Sequence, residues 1–188
     1  MSMWQGAALI VIDVQQGLDD PCYGTRNHPE AEANIAVLLD TWRQRGWTIA
    51  HVQHASDEPA SPLRKSAPGF AFKPEGEPQP GEPVFEKNVN SAFIGTPLAP
   101  WLREQEHERL VLVGLTTDHC VSTSVRTGAN IGFDILLVND ATATHERETF
   151  DGETMTADQM HRTAVASLNH EFCAVMNTGE LLDSLKAP

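Results

Sequence analysis

The chain has 188 residues, 40% of them hydrophobic, and a formal net charge of −13 at pH 7. Its length suits one α/β domain with one core. The charge excludes a nucleic-acid partner, which requires a basic face. Three widely spaced cysteines, Cys22, Cys120 and Cys173, make a poor disulfide framework.

The opening stretch, "MSMWQGAALIVIDVQQG", has no basic leader, and its short apolar run stops at Asp13. Neither a signal peptide nor a membrane span is expected, and the protein reads as cytoplasmic with reduced thiols. "AALIVID" (7–13) predicts the first strand. "HPEAEANIAVLLDTWRQRG" (28–46) predicts a helix, with Pro29 near its start and Gly46 after its end. "TIAHVQ" (48–53) predicts the second strand. The next segment, 56–83, is rich in Pro and Gly and longer than an ordinary connection. Such loops serve as lids, pocket walls or oligomer contacts. Strands follow at "PVFEK" (83–87), "RLVLVG" (109–114), "DILLVN" (134–139) and "FCAVM" (172–176). Between and after them, helices are expected at 96–106 (Thr96 as cap), 120–132, 156–170 (Thr156 as cap) and 178–185.

Most of these strands are nearly all apolar rather than alternating, which suits parallel strands covered on both faces. The alternation of strands and helices predicts a single α/β domain. Its architecture is a three-layer sandwich around a doubly wound sheet of about six mainly parallel strands. The strand order is 3-2-1-4-5-6 or a flavodoxin-like variant.

In open α/β sheets, ligands bind outside the carboxyl ends of the strands. Asp13 ends the first strand, Lys87 ends the third, and Cys120 follows the fourth where a helix begins. An acid, a cation and a thiol thus fall on one edge. Cysteine attacks as thiolate, with a free pKa of about 8.5. A helix start and a nearby ammonium both favour that anion. Asp13 takes the proton and returns it to a leaving amine. The backbone N–H groups of Cys120 and Thr116 are candidates for an oxyanion hole, where one donor is worth roughly 3–4 kcal/mol. Together these parts describe acyl transfer through a thioester.

Other residues are weighed by position. Gln15, Thr116, Phe93 and His119 are the candidate substrate contacts, and Phe70 and Phe72 are candidates for a lid. Neighbouring side chains at a helix start diverge by roughly 100°, so His119 does not form a dyad with Cys120. Cys173, in an apolar strand, reads as structural, and Cys22 reads as a loop thiol without chemistry. His145, His161 and His170 read as solvated or capping.

The stretches "LIVIDVQQG", "EKNVNSAFIGT" and "GLTTDHCVSTSVRTGANIGFDILLVNDATAT" resemble the isochorismatase-like cysteine hydrolases, which include nicotinamidases and other amidases. The resemblance implies an Asp–Lys–Cys triad carried by Asp13, Lys87 and Cys120. It also implies a non-proline cis peptide at Leu115–Thr116 and cleavage of a small amide or amide-like C–N bond. Dimers or tetramers are expected on the same ground. Nicotinamidases of that family hold a metal through an Asp-x-His pair after the second strand and a later His. Here "IAHVQHASDEPASP" has no such pair, and His51 and His54 face opposite sides of a strand. No metal or other cofactor is expected, and His54 and Ser56 read as polar contacts. The expected partner is a small-molecule substrate, with neither nucleic acid nor membrane. Two alternatives remain. Vinyl-ether hydrolysis of isochorismate is run by members lacking the cysteine, so Cys120 argues against it. A redox-sensing thiol needs no general acid, so the triad argues against that.

Overall fold

The computed structural model describes residues 2–186. In chain order the elements are β1 (Ala8–Ile12), α1 (Ala31–Arg45), β2 (Ile49–His54), β3 (Val84–Lys87), α2 (Leu98–Glu104) and β4 (Arg109–Leu115). They continue with α3 (Ser122–Asn130), β5 (Asp134–Ala143), β6 (Arg147–Glu148), β7 (Thr154–Met155), α4 (Ala157–Leu168), β8 (Ala174–Met176) and α5 (Thr178–Lys186). Six strands form one sheet in the order β3-β2-β1-β4-β5-β8, and every neighbouring pair is parallel. This is the first of the two orders left open above.

Successive side chains of a strand point to opposite faces. Ile10, Ile12, Leu110 and Leu112 enter one core, which α2, α3 and α4 cover with Leu98, Leu102, Val125 and Leu168. Leu9, Val11, Val111 and Val113 enter the other. There α1 presents Ile35, Leu38, Leu39 and Trp42, the i, i+3, i+4, i+7 stripe of an amphipathic helix, and α5 adds Leu181 and Leu185. The result is three layers. Among the described residues, no helix is long and apolar enough to cross a membrane.

Local punctuation follows the residue chemistry. Gly46 ends α1 in the left-handed region, at φ 63. Thr156 and Gln159 form a capping box on α4. At α2 the helix begins one residue later than expected, with Pro97 at the N-cap. The Thr96 hydroxyl donates to the Ala92 carbonyl and accepts from the Leu98 N–H at 3.4 Å. The β6–β7 hairpin was not foreseen, because two residues per strand are too few to show alternation. The expected helix 120–132 begins instead as a π turn over Thr117–Val121, and regular helix starts at Ser122.

Segment 56–83 forms only two short 3-10 turns, yet it is tied down. Gln16 N–H donates to Ala71 O and Lys73 N–H to Val14 O, each at 2.9 Å. The buried Lys73 ammonium reaches Asp19 and Glu32 at 2.5 and 2.6 Å, and Arg26 completes the cluster on Glu32. Burial opposes the Glu32 charge, but the bonds from Arg26 and Lys73 outweigh it and bring the carboxyl down to about 2.

Where the segment crosses Gly17, it does so at Gly69. A Cβ there would lie 2.5 Å from Gly17 Cα and 2.6 Å from Pro62 O. These are backbone atoms, so the crossing has no room for a side chain. Gly69→Ala is therefore expected to cost about 1–3 kcal/mol. Urea denaturation should show a lower midpoint at unchanged slope, and an unchanged midpoint would refute this packing.

Candidate active site

Asp13 follows β1 with φ 51, a conformation that costs a non-glycine residue about 1–2 kcal/mol. Such strain concentrates at functional sites. The conformation is fixed on both sides, since Asp13 N–H donates to Val52 O at 2.9 Å and Asp13 O accepts from Gln15 N–H at 2.8 Å. In β3, "VFEK", burial alternates, so Phe85 enters the core and Lys87 points inward at the strand end. Parallel pairing sets His54 of β2 beside Lys87. The π turn after β4 brings in Cys120, and the Leu115–Thr116 peptide before it is cis.

The Lys87 ammonium is the centre of the group. Its Nζ lies 2.6 Å from Asp13 Oδ2, 3.0 Å from His54 Nδ1 and 3.2 Å from Cys120 Sγ. An ammonium has three N–H donors, so all three are used. His54 Nδ1 therefore accepts, which makes the ring neutral with its hydrogen on Nε2. Burial, and then the Lys87 charge, lower its pKa in the same sense. Asp13 and Lys87 are almost wholly enclosed, at 1% and 0% side-chain exposure. Asp13 Oδ1 is buried without a hydrogen-bond partner.

The Cys120 thiol differs from expectation. Burial pushes its pKa well above the ordinary value and the Asp13 charge adds to this, while Lys87 opposes both. The helix start and the ammonium do not prevail, because the thiol sits in an enclosed place beside a carboxylate. Partial burial and the neighbouring carboxylate thus favour the protonated sulfur. Asp13, His54 and Cys120 each bring one potential metal-ligand atom within 4.8 Å of the others. The Lys87 ammonium bonds all three.

A cavity of about 220 Å³ opens over this group. Leu18, Tyr23, Leu63 and Leu115 form its apolar wall, and Ser56, Asn90 and Thr116 its polar one. His119, Arg147 and Glu58 supply charge or potential charge at its rim. Arg147 Nε lies 3.3 Å from Asp118 Oδ2, and Asp118 also accepts from the Thr144 hydroxyl. Burial opposes the Asp118 charge, but the Thr144 bond and the charges of His119 and Arg147 hold the carboxyl below its ordinary range. A hollow of about 170 Å³ at the opposite end of the sheet, beside Gln5 and His107, contains no nucleophile.

The three strand-end residues read from the sequence thus meet, and Thr116 and His119 line the same cavity. Gln15 and Phe93 lie elsewhere. Gln15 is fully buried behind the site, bonding the His54 backbone through both side-chain atoms and also donating to Phe70 O. Phe93 is in the core, stacked on Phe133 with ring centroids 5.7 Å apart. Phe70 and Phe72 are not at the cavity either; the long loop contributes Ser56, Glu58, Ser61 and Leu63 instead. His145 and His161 are buried rather than solvated. His51 points away from His54, onto Glu82 at 2.8 Å. Cys22 is exposed outside the cavity lining, and burial pushes the Cys173 thiol up to about 12. Sequence reasoning missed Leu18, Tyr23 and Arg147. Tyr23, the chain's single tyrosine, lies in a loop after the first strand, which was the available signal.

An α/β sheet with an acid, an ammonium and a thiol in mutual contact at its carboxyl edge defines a hydrolase-type site. The Isochorismatase domain profile matches residues 7–180. The chain is 40% identical over 181 residues to the uncharacterized isochorismatase family protein YrdC of Bacillus subtilis (strain 168), covering 96% of this chain and 97% of that one. A solved isochorismatase-family structure from Chromobacterium violaceum superposes with a TM-score of 0.92 at 43% identity, covering 96% of this chain and 93% of the other. Maleamate amidohydrolase of Pseudomonas putida is 29% identical over 190 residues, covering 87% of each chain. The chain belongs to the isochorismatase family of hydrolases.

The opposing influences of Asp13 and Lys87 on the thiol can be separated. Asp13→Asn removes the carboxylate that raises the Cys120 pKa, so more thiolate should form at about pH 8. Lys87→Met should act in the reverse sense. Ultraviolet thiolate absorbance during a pH titration checks this, and a thiol that ionises no more readily in Asp13→Asn would refute the assignment.

Proposed function

We propose that the protein is a cysteine-dependent hydrolase that cleaves a small amide or amide-like C–N bond through a thioester. The carrying observation is the Lys87 ammonium bonded at once to Asp13, Cys120 and His54, under a cavity of small-molecule size.

The substrate carbonyl sits above Cys120. The Sγ–H proton passes to Asp13, whose Oδ1 has no other partner, as sulfur forms its bond to the carbonyl carbon. Because the resting thiol is protonated, attack and proton transfer are coupled. Negative charge collects on the carbonyl oxygen, between the backbone N–H groups of Thr116 and Cys120. The C–N bond then breaks, and Asp13 gives its proton to the departing nitrogen. Water enters, Asp13 takes a proton from it, and the oxygen attacks the thioester. The C–S bond breaks and Asp13 reprotonates the sulfur. Lys87 keeps its charge throughout and holds Asp13 and Cys120 in register.

Among the residues that line the cavity, Arg147 is the permanent cation, and Asp118 orients it. A substrate bearing an anionic group would meet it there, and the apolar wall opposite would cover a short carbon chain. The maleamate amidohydrolase relative, named for an acid amide, agrees with this reading.

The test is ammonia release from a panel of small amides and ureides, neutral and anionic, with chelator present. Cys120→Ala should abolish turnover, and substantial activity in that variant would sink the mechanism. Arg147→Ala should raise KM for anionic members by about 10-fold or more while leaving neutral ones little changed. Equal losses on both would assign Arg147 to the fold instead.

A further inference from the structure

A polar chain that runs inward from the surface supports the nucleophile turn from behind, and its inner two members, His161 and Thr117, are buried. Thr117, fully buried, places Oγ1 2.9 Å from His161 Nδ1. His161, on α4 and 3% exposed, places Nε2 2.8 Å from Asn139 Oδ1. The Asn139 amide nitrogen donates to Asn177 Oδ1 at 2.9 Å, and Asn177 N–H donates to Glu180 at 2.7 Å. An amide oxygen only accepts, so His161 carries its hydrogen on Nε2, and its Nδ1 accepts a hydrogen bond from the Thr117 hydroxyl. Thus α4, β5 and the segment entering α5 all converge on a residue three before Cys120. The chemistry above makes no use of His161.

We propose that His161 is a positioning residue for the nucleophile turn, holding the Thr116–Cys120 segment through Thr117 as the neutral Nε2–H tautomer. The inference rests on the cysteine-hydrolase reading, because that segment carries the thiol and both oxyanion donors. A π turn is rare and short and is found frequently at functional sites. Its bonds into α3 are irregular, with the Ser122 N–H shared between His119 O and Thr117 O, so a tie from outside adds to its hold. His161 supplies one from a rigid helix, bonded on both ring nitrogens.

The tie is sensitive to protonation. A second hydrogen on His161 would make Nδ1 a donor and break its acceptance from Thr117. His28, whose Nδ1–H donates to Thr142 O at 2.8 Å, packs with its ring centroid 4.3 Å from that of His161. Burial pushes His161 down to about 4. The His28 charge acts the same way, while Asp158 on its own helix and Asp118 from the turn oppose. The folded pKa lies below the ordinary value, so the tie holds at neutral pH and is lost as pH falls through about 4.

The test compares full-length wild type with Thr117→Val, His161→Phe, the double variant and His161→Gln. One readout is steady-state hydrolysis of an amide; the other is the rate of Cys120 alkylation by iodoacetamide across pH. Each of Thr117→Val and His161→Phe should lower kcat about 10–100-fold with KM within about 3-fold. The double variant should be no worse than the poorer single, because both act through one bond. Glutamine can accept from Thr117 and donate to Asn139, so His161→Gln should restore most of kcat. Alkylation rates should show the same non-additive pattern. Additive losses, a KM effect at constant kcat, or a glutamine variant as impaired as phenylalanine would overturn the proposal. If His161→Phe does not fold, wild-type kcat in Thr117→Val overturns it and a kcat loss that His161→Gln does not share upholds it. If no amide is turned over, the hydrolase reading fails while the alkylation cycle still decides the positioning role. If turnover needs Cys120 yet the cycle is additive, the positioning role alone fails.

Discussion

Everything at the carboxyl edge of the sheet depends on one buried cation. Lys87 has no exposed side-chain surface, and an ammonium removed from water costs several kcal/mol unless its donors are met. They are met by three different strand ends. β3 lies two strands from β1, and adjacent strands are about 4.8 Å apart, so the two backbones are separated by roughly 10 Å. A long, flexible side chain can span that gap. On the intervening strand, His54 supplies an acceptor midway. The charge that makes the site is thus held by the sheet itself, and its geometry is as firm as the strand register beneath it.

That enclosure has a chemical consequence. A thiol in water beside an ammonium would lose its proton easily. Cys120 is instead half-buried next to a carboxylate, and both its partial burial and the carboxylate raise its pKa. In the proposed reaction that proton is kept for the moment of attack, when it moves to Asp13 and becomes available for the leaving group. A thiolate formed early would leave Asp13 without that proton. On that reading the group exchanges one proton among sulfur, carboxylate and substrate, with Lys87 as a fixed counter-charge.

The strands and the reactive residues were legible because both follow from short-range pattern. Apolar runs gave six strands, and each reactive residue is a polar side chain just past the end of such a run. The misreadings share a different cause. Phe93 lies only six residues after Lys87, but whether an aromatic ring faces a cavity or a core depends on packing from distant segments, here Phe133. Gln15 is two residues from Asp13, and the bend at Asp13 turns it behind the site instead of into it. From the sequence His161 reads as solvated or capping, yet it is buried. Its partners Thr117 and Asn139 are 44 and 22 residues away in sequence. Buried polar chains of this kind leave no local trace.

The same division separates reaction from recognition. Asp13, His54 and Lys87 are set by strand ends in a rigid sheet, and Cys120 by a turn tied to its flanking helix. The cavity wall comes from loops: Leu18 and Tyr23 after β1, Ser56 to Leu63 in the long segment, and Arg147 at the start of a small hairpin. Loops tolerate change that strand ends do not. A chain of this design can alter its substrate by altering the wall while the proton-transfer group stays intact. Function on such a fold follows from the site and not from the fold alone. The polar ties from Lys73 and His161 stand between these two parts. They anchor irregular segments to regular helices, so that a wall free to vary in side chains still meets the nucleophile at a fixed distance.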